Sequence, residues 1–208
     1  MSSLFQDESL FSEGLEKLGF IDSKEPLMDY LKLLDKWNKT YNLTAIRDLS
    51  EMAIRHILDS LAISPWLRGN SILDIGTGPG LPGIPLAISH PHLKFTLLDS
   101  NGKKTRFLDE VKRRLQLNNV EVVQSRAENY QPSLDFDTLT SRAFSDVKQM
   151  LHWTKHLASS HSIWLAMKGR YPETELDSLS FPYQVEEYKV PGLDGERCCI
   201  IIENKMKE

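Results

Sequence analysis

Cysteine is nearly missing from this sequence: there are two in 208 residues, and they are adjacent, Cys198 and Cys199. In a β-type run, neighbouring side chains point to opposite faces, so the pair suits neither a disulfide framework nor a metal site. A reducing, cytoplasmic setting is expected. An excess of basic charge is missing as well. With a formal net charge of −4 the chain lacks the global positive footprint of a nucleic-acid coat, so any RNA contact has to be a local patch. No apolar run approaches membrane-spanning length, and residues 1–11 carry acids with no basic or apolar signal segment. A soluble protein that is not exported is expected, with no membrane partner and no metal. Internal repeats, low-complexity tracts and long charge blocks are also absent.

What is present centres on residues 71–83, SILDIGTGPGLPG. A short apolar run, with Ile and Leu on both faces, reads as a buried strand and stops at Gly76. Glycines then recur at alternate positions, Gly76, Gly78 and Gly80, before a second apolar run starts a helix. Such a loop can turn sharply and let its backbone approach a ligand, with the amides of the helix start pointing at it. The nicotinamide pattern is G-x-G-x-x-G with a diphosphate on the helix end. Here the pattern is G-x-G-x-G, and Asp74 stands two residues before it. A carboxylate there would repel a diphosphate and suits a ligand carrying an ammonium and a sulfonium, which points to S-adenosylmethionine. A second acid, Asp99, ends the next strand, 95–99, where it can accept hydrogen bonds from ribose hydroxyls. An NAD-dependent oxidoreductase is the rival enzyme class for the same loop, and a non-catalytic RNA-binding or ribosome-assembly protein is the rival outside enzymes.

Along the chain, apolar spacing predicts helices over 7–18 and from about 24, with Ser23 as N-cap and Leu27, Tyr30, Leu31, Leu34 and Trp37 in one stripe. A third helix begins near Ser50 and is broken by Pro65. These form an N-terminal helical cap, 1–64, on a ligand-binding domain, 65–208. In the third helix Asp59, four residues after Arg55, reads as an ordinary surface ion pair, and His56 as a packed residue. After Pro65, strands at 71–75, 95–99, 120–123, 137–140 and 163–167 alternate with helices at 84–89, 103–117 and 146–157, which implies a mainly parallel sheet covered by helices. The end differs. Segments 185–190 and 197–202, joined by PGLDG, read as a hairpin. A seven-stranded, mainly parallel α/β sheet with an antiparallel last strand is the class I methyltransferase, Rossmann-like arrangement.

In such a sheet the ligand lies over the C-terminal strand ends. The strands deliver Asp74, Gly76 and Gly78, then Asp99 and Ser100, then Ala127 and Glu128, then Arg142, then Lys168, all to one expected crevice. The fourth strand end is Ser141-Arg142-Ala143-Phe144 and not the D/N-P-P-Y/F motif that accepts hydrogen bonds from a target amine, so an amine target is disfavoured. Lys103 and Lys104, in the first turns of a helix, read as solvated charges.

Residues 74–85, DIGTGPGLPGIP, resemble the cofactor motif of the bacterial RsmG family, also called GidB. Further blocks match in order: 41–48 with 55–60, 97–100, 124–128 and 141–144. The likeness covers about residues 30 to 204. The resemblance implies an S-adenosylmethionine-dependent methyltransferase acting on guanine N7 in the 530 loop of 16S rRNA, with the small ribosomal subunit as partner and a monomeric chain. It places cofactor contacts at Gly76, Leu81, Ala127, Glu128 and Arg142, and basic RNA contacts at Arg126, Lys168 and Arg197. Guanine N7 has a lone pair and no proton to lose, so no general base and no catalytic side chain is expected. Asn101 departs from the family, where that position is often apolar.

Overall fold

In the computed structural model residues 8–142, 144, 146–177 and 179–205 are described. The readings above that involve Asp7 and Ala143 lie outside them.

Three helical stretches come first. Helix α1 (Glu8–Leu18) and α2 (Lys24–Tyr41) bury Phe11 and Leu15, and Leu27, Tyr30, Leu31 and Leu34, as their spacing requires. Ser23 does not cap α2 with its side chain, because a 3-10 turn over Ile21–Ser23 runs straight into the helix. The third stretch is less regular than its periodicity suggests. It consists of α3 (Leu49–Met52), a π-helical segment (Ala53–Leu58) and α4 (Asp59–Leu61), and Asp48 caps it by accepting a hydrogen bond from the Glu51 amide at 2.9 Å. Wide π turns inside helices are frequent at functional sites. This one carries Arg55 and His56.

The sheet follows. Strand β1 (Ser71–Ile75) leads to α5 (Gly83–Ser89), β2 (Lys94–Asp99) to α6 (Gly102–Leu115), and β3 (Val120–Gln124) through a 3-10 turn at Ala127–Asn129 to β4 (Phe136–Ser141). Then come α7 (Val147–Thr154), β5 (Ala158–Lys168), α8 (Glu173–Leu176), β6 (Tyr183–Glu187) and β7 (Cys198–Glu203). The strand order is β3-β2-β1-β4-β5-β7-β6. The pairs from β3 to β5 are parallel, while β7 runs antiparallel to both β5 and β6. This is the class I methyltransferase topology, and the terminal hairpin inserts its second strand next to β5.

Both faces of the sheet are apolar, and the period of two sorts them. Ile72, Phe95, Leu97, Ile163, Leu165 and Ile201 share one core with the residues of α1 and α2. Leu73, Ile75, Leu98, Trp164, Ile200 and Ile202 face the other core, under α7 and α8. Cys199 joins the first core, and burial raises its thiol pKa, so the cysteines are packed strand residues. Among the described residues no helix is long and apolar enough to cross a membrane.

Candidate active site

The order of strands reverses between β1 and β4, which opens the C-terminal edge of the sheet on either side of β1. The single crevice expected there is in fact two. One lies over the ends of β1, β2 and β3. The other lies over β4, β5 and β7 and is closed on one side by the π segment.

The first crevice, about 260 Å³, is lined by Gly76, Asp99, Ser100, Ala127 and Glu128, with Phe144 and Trp153 forming an aromatic wall. The rings of Phe144 and Trp153 meet edge to face at 5.7 Å. Arg126 also lies on this rim, 3.7 Å from Glu128, rather than with the other basic residues. The loop beneath is held from inside by Asp74, which is 0% exposed. Its Oδ2 accepts hydrogen bonds from the Thr77 hydroxyl at 2.6 Å and the Gly83 amide at 2.8 Å. Gly83 must be glycine, since a Cβ would stand 2.3 Å from Leu97 and 2.7 Å from that same oxygen. Gly76 is different. It has φ +63° and open space where a Cβ would be. Leu81 turns its side chain into the core, so only its backbone faces outward chemistry.

Among the described residues the second Asp74 oxygen, Oδ1, has no hydrogen-bond partner. Burial pushes the Asp74 carboxyl up to about 7, against the hydrogen bonds of Thr77 and Gly83 and the charge of Arg142. A buried acceptor with an unmet lone pair, beside an open glycine turn, is suited to a cationic donor. Asp99 makes the neighbouring wall. It accepts from the amides of Gly78 at 2.9 Å and Asn101 at 2.8 Å, and from the Lys104 ammonium at 3.4 Å. Lys104 is therefore paired with Asp99 next to the crevice, with about a third of its side chain exposed. The Asn101 side chain caps α6 by accepting from the Lys103 amide, which accounts for a polar residue at that position.

One further support comes from the helical part. The buried Tyr30 hydroxyl of α2 donates to the Pro79 carbonyl at 2.7 Å, so the loop is tied down across 49 residues of sequence. Burial raises the Tyr30 pKa and keeps it a donor.

The second crevice, about 280 Å³, is lined by Arg55, His56, Asp59, Arg142, Lys168, Tyr188 and Arg197, among others. The surface ion pair expected of Asp59 does not form. Arg55 pairs with Glu51 instead, at 3.3 Å, and Asp59 points inward at 6% exposure. There its carboxylate meets Arg197 at 3.4 Å, Arg142 at 3.9 Å and the Tyr188 hydroxyl, which donates at 3.2 Å. Burial raises the Asp59 pKa, while the two arginines and the tyrosine oppose the rise.

His56 is packed, as its place on the helix suggested, and its protonation is set. The Arg142 guanidinium donates to Nδ1 at 3.3 Å, which leaves the proton on Nε2 to be donated to the Thr44 hydroxyl at 2.8 Å. Burial, reinforced by the charge of Arg142, lowers its pKa to about 3, so the ring is neutral at physiological pH. Thr44 is in turn fixed by the side chain of buried Asn38, which accepts from the Thr44 amide at 2.9 Å and donates to the Ile46 carbonyl at 3.0 Å. Lys168 lines the crevice, but its ammonium is held by Glu175 at 2.8 Å and by the Phe144 carbonyl at 3.1 Å.

Arg142 stands at the junction. Its hydrogen bonds, including one to the Arg55 carbonyl at 3.2 Å, lie in the second crevice, yet its charge acts on Asp74 and Tyr30 beside the first. Sequence reading missed the inward position of Asp59 and the parts played by Tyr188, Tyr30 and Trp153, and it did not foresee that Lys104 pairs with Asp99.

The family description "rRNA small subunit methyltransferase G", GidB, matches residues 23–198. A protein named ribosomal RNA small subunit methyltransferase G from Legionella pneumophila (strain Philadelphia 1) is 58% identical over 200 residues, covering 96% of each chain. One of the same name from Ectopseudomonas mendocina is 50% identical over 198 residues, covering 91% of this chain and 92% of its own. Among solved structures, a SAM-dependent methyltransferase from Aquifex aeolicus superposes with a TM-score of 0.56 at 19% identity, over 86% of this chain and 97% of its own. A precorrin-6y C5,15-methyltransferase from Geobacter metallireducens gives a TM-score of 0.50 at 15% identity, over 70% of this chain and 86% of its own. At such identities these two bear on the fold alone.

Proposed function

This chain belongs to the rRNA small subunit methyltransferase G family, GidB, and on that premise we propose that it methylates N7 of a guanine in the 530 loop of 16S rRNA, with S-adenosylmethionine as donor. Residues 65–208 would hold donor and target, and residues 1–64 would act as a helical cap in the cytoplasm, where ribosomal subunits are made. The observation that carries the reading is the buried, unpartnered Asp74 Oδ1 beside the open Gly76 turn. An ammonium would satisfy it, whereas the diphosphate of a dinucleotide would be repelled.

The residues of the first crevice, with Asp74 buried beneath its loop and not in its lining, fit the donor. Asp74 would take its ammonium, Asp99 and Ser100 its ribose, and Ala127 and Glu128 its adenine against the Phe144 and Trp153 wall, with the backbones of Gly76, Gly78 and Leu81 beneath. When bound, it supplies a methyl group on a sulfonium, open to in-line attack by a lone pair.

The chain's own contribution is positioning. Orientation of two reactants can supply roughly 7 to 11 kcal/mol of the barrier, and N7 attack leaves no proton to remove. His56 fits that account, since its neutral ring is engaged by Arg142 and Thr44. Arg142 and Arg197 would face the RNA with planar forks suited to phosphate or to guanine O6 and N7. Arg126 and Lys168 would add charge at the rims. The test is to map 7-methylguanosine in 16S rRNA from cells with and without the gene. The modification should vanish from the 530 loop on deletion, and an unchanged loop would defeat the substrate assignment.

A further inference from the structure

Asp59 is a buried acid in the middle of a site read as RNA-binding, where a negative charge would ordinarily weaken binding. Its surroundings explain why it is there. Arg142 comes from the end of β4 and Arg197 from the residue before β7, far apart in sequence and each about one-fifth exposed, and both guanidiniums lie within 4 Å of the one carboxylate. Without a counter-charge two guanidiniums at that separation repel each other and turn outward to solvent. The carboxylate is itself fixed. Tyr188 donates to the same oxygen, Oδ1, that receives Arg197, and Tyr188 is held in place by edge-to-face contact with Trp66 at 5.7 Å. His56 and the Arg55 carbonyl fix Arg142 from the other side. One carboxylate against two guanidiniums leaves one net positive charge, shared by two side chains that line a crevice of about 280 Å³, with Arg197 further fixed by donating from Nη1 to the Glu196 carbonyl at 2.8 Å.

We propose that Asp59, seated by Tyr188, is a positioning residue that sets Arg142 and Arg197 side by side so that together they receive one phosphodiester of the RNA strand. This rests on the reading of the chain as an rRNA methyltransferase and gives its second crevice a defined ligand.

Asp59→Asn removes a negative charge, so if the acid only dilutes the positive field, RNA binding tightens. If Asp59 positions the arginines, RNA binding weakens although the protein has become more positive.

The probe is a fluorescein-labelled single-stranded RNA spanning the 530-loop sequence, titrated by anisotropy at several salt concentrations. S-adenosylhomocysteine binding is measured by calorimetry on the same samples. Asp59→Asn should weaken RNA binding about tenfold, and the salt dependence should flatten by about 0.7 in log–log slope, one phosphate contact on a single strand. S-adenosylhomocysteine binding should stay within about twofold, which also shows that the fold has survived. Tyr188→Phe, which keeps the ring and the net charge, should weaken RNA binding in the same direction by about threefold. Unchanged or tighter RNA binding in Asp59→Asn would overturn the proposal, as would parallel loss of RNA and S-adenosylhomocysteine in both variants. Neither result would touch the methyltransferase reading, which stands or falls on the modification of the rRNA.

Discussion

The two crevices at the sheet edge are built by opposite means. The first is made largely by backbone: a glycine loop is drawn tight by one buried acid, and its walls come from the ends of three consecutive strands, closed by Phe144 and Trp153 from beyond β4. The second is made by side-chain charge, with residues gathered from the π segment, β4, β5 and the stretch before β7 around a second buried acid. Asp74 bonds to groups within nine residues of itself, Thr77 and Gly83. Asp59 reaches 83 residues to Arg142 and 138 to Arg197. A local motif therefore specifies one site, while the other exists only once the sheet has closed.

That contrast should break most visibly at Arg142, which belongs to both. Arg142→Ala removes the partner of Asp59 and the donor to His56, and truncating one member of a buried charge pair costs about 2–5 kcal/mol, so kcat/KM should fall by at least about 30-fold. Steady-state kinetics should show the loss in both KM for RNA and affinity for S-adenosylhomocysteine. A change confined to one of them would assign Arg142 to a single crevice.

Asp74 should sharpen the difference from the other side. With its carboxyl pushed up to about 7, a bound ammonium has to draw the proton off first. S-adenosylhomocysteine affinity should therefore fall as pH drops below about 7, toward tenfold per pH unit. Asp74→Asn should bind about 10- to 100-fold more weakly at pH 8, the loss of a hydrogen bond to a charged group, and should lack this dependence. RNA affinity should not change. Calorimetry in buffers of different ionisation enthalpy would detect the released proton.

Tyr30→Phe is smaller and equally one-sided. It leaves the buried Pro79 carbonyl without its donor, which should lower stability by about 1–2 kcal/mol and weaken S-adenosylhomocysteine binding with RNA binding intact. Thermal melts with and without the ligand would show both effects.

The smallest effects concern pH and stability, and here two buried groups, Asp74 and His56, have opposite signs. Asp74 has a folded pKa above its unfolded value of 3.8, so the folded state binds more protons and stability from this group falls as pH rises from about 4 to 7. His56 has a folded pKa of about 3, below its unfolded 6.5, so its contribution is full above 6.5 and is lost as pH falls toward 3. Between about pH 4 and 6.5 the slopes of these two groups oppose each other in the wild type, and the raised Asp59 adds to that of Asp74. His56→Gln should remove one of them, so that stability drops by up to about 1 kcal/mol per unit as pH rises between 4 and 6.5. At saturating cofactor and RNA, its single-turnover rate should remain flat from about pH 6 to 8.5, as in the wild type, since no base is needed. An inflection near neutrality that disappears in His56→Gln would show a base at work.

Legibility followed the same division. The strand–loop–helix unit around Asp74, the β/α alternation and the closing hairpin could all be read from sequence, because hydrophobic period, glycine spacing and turn residues are local. The sequence also showed that the basic residues lie at strand ends. It could not show that Lys168 is held by Glu175, seven residues on in α8, or that Arg126 sits on the other rim beside Glu128, since the path of the loops after β5 and β3 leaves no periodic signal. Asp59 was misread as well. Four-residue spacing favours Arg55 only if the helix is regular and the acid faces water, and the π segment and the burial of α4 remove both conditions. Tyr30 gave no sign of its hydroxyl's partner, as an aromatic in an apolar stripe looks like packing alone.

The most direct test of the division is a crossed pair of titrations, S-adenosylhomocysteine and 530-loop RNA, into Asp74→Asn and Arg197→Ala. The account predicts that Asp74→Asn loses S-adenosylhomocysteine affinity and keeps that for RNA, while Arg197→Ala does the reverse. If each variant loses both ligands to the same extent, the two crevices are one site.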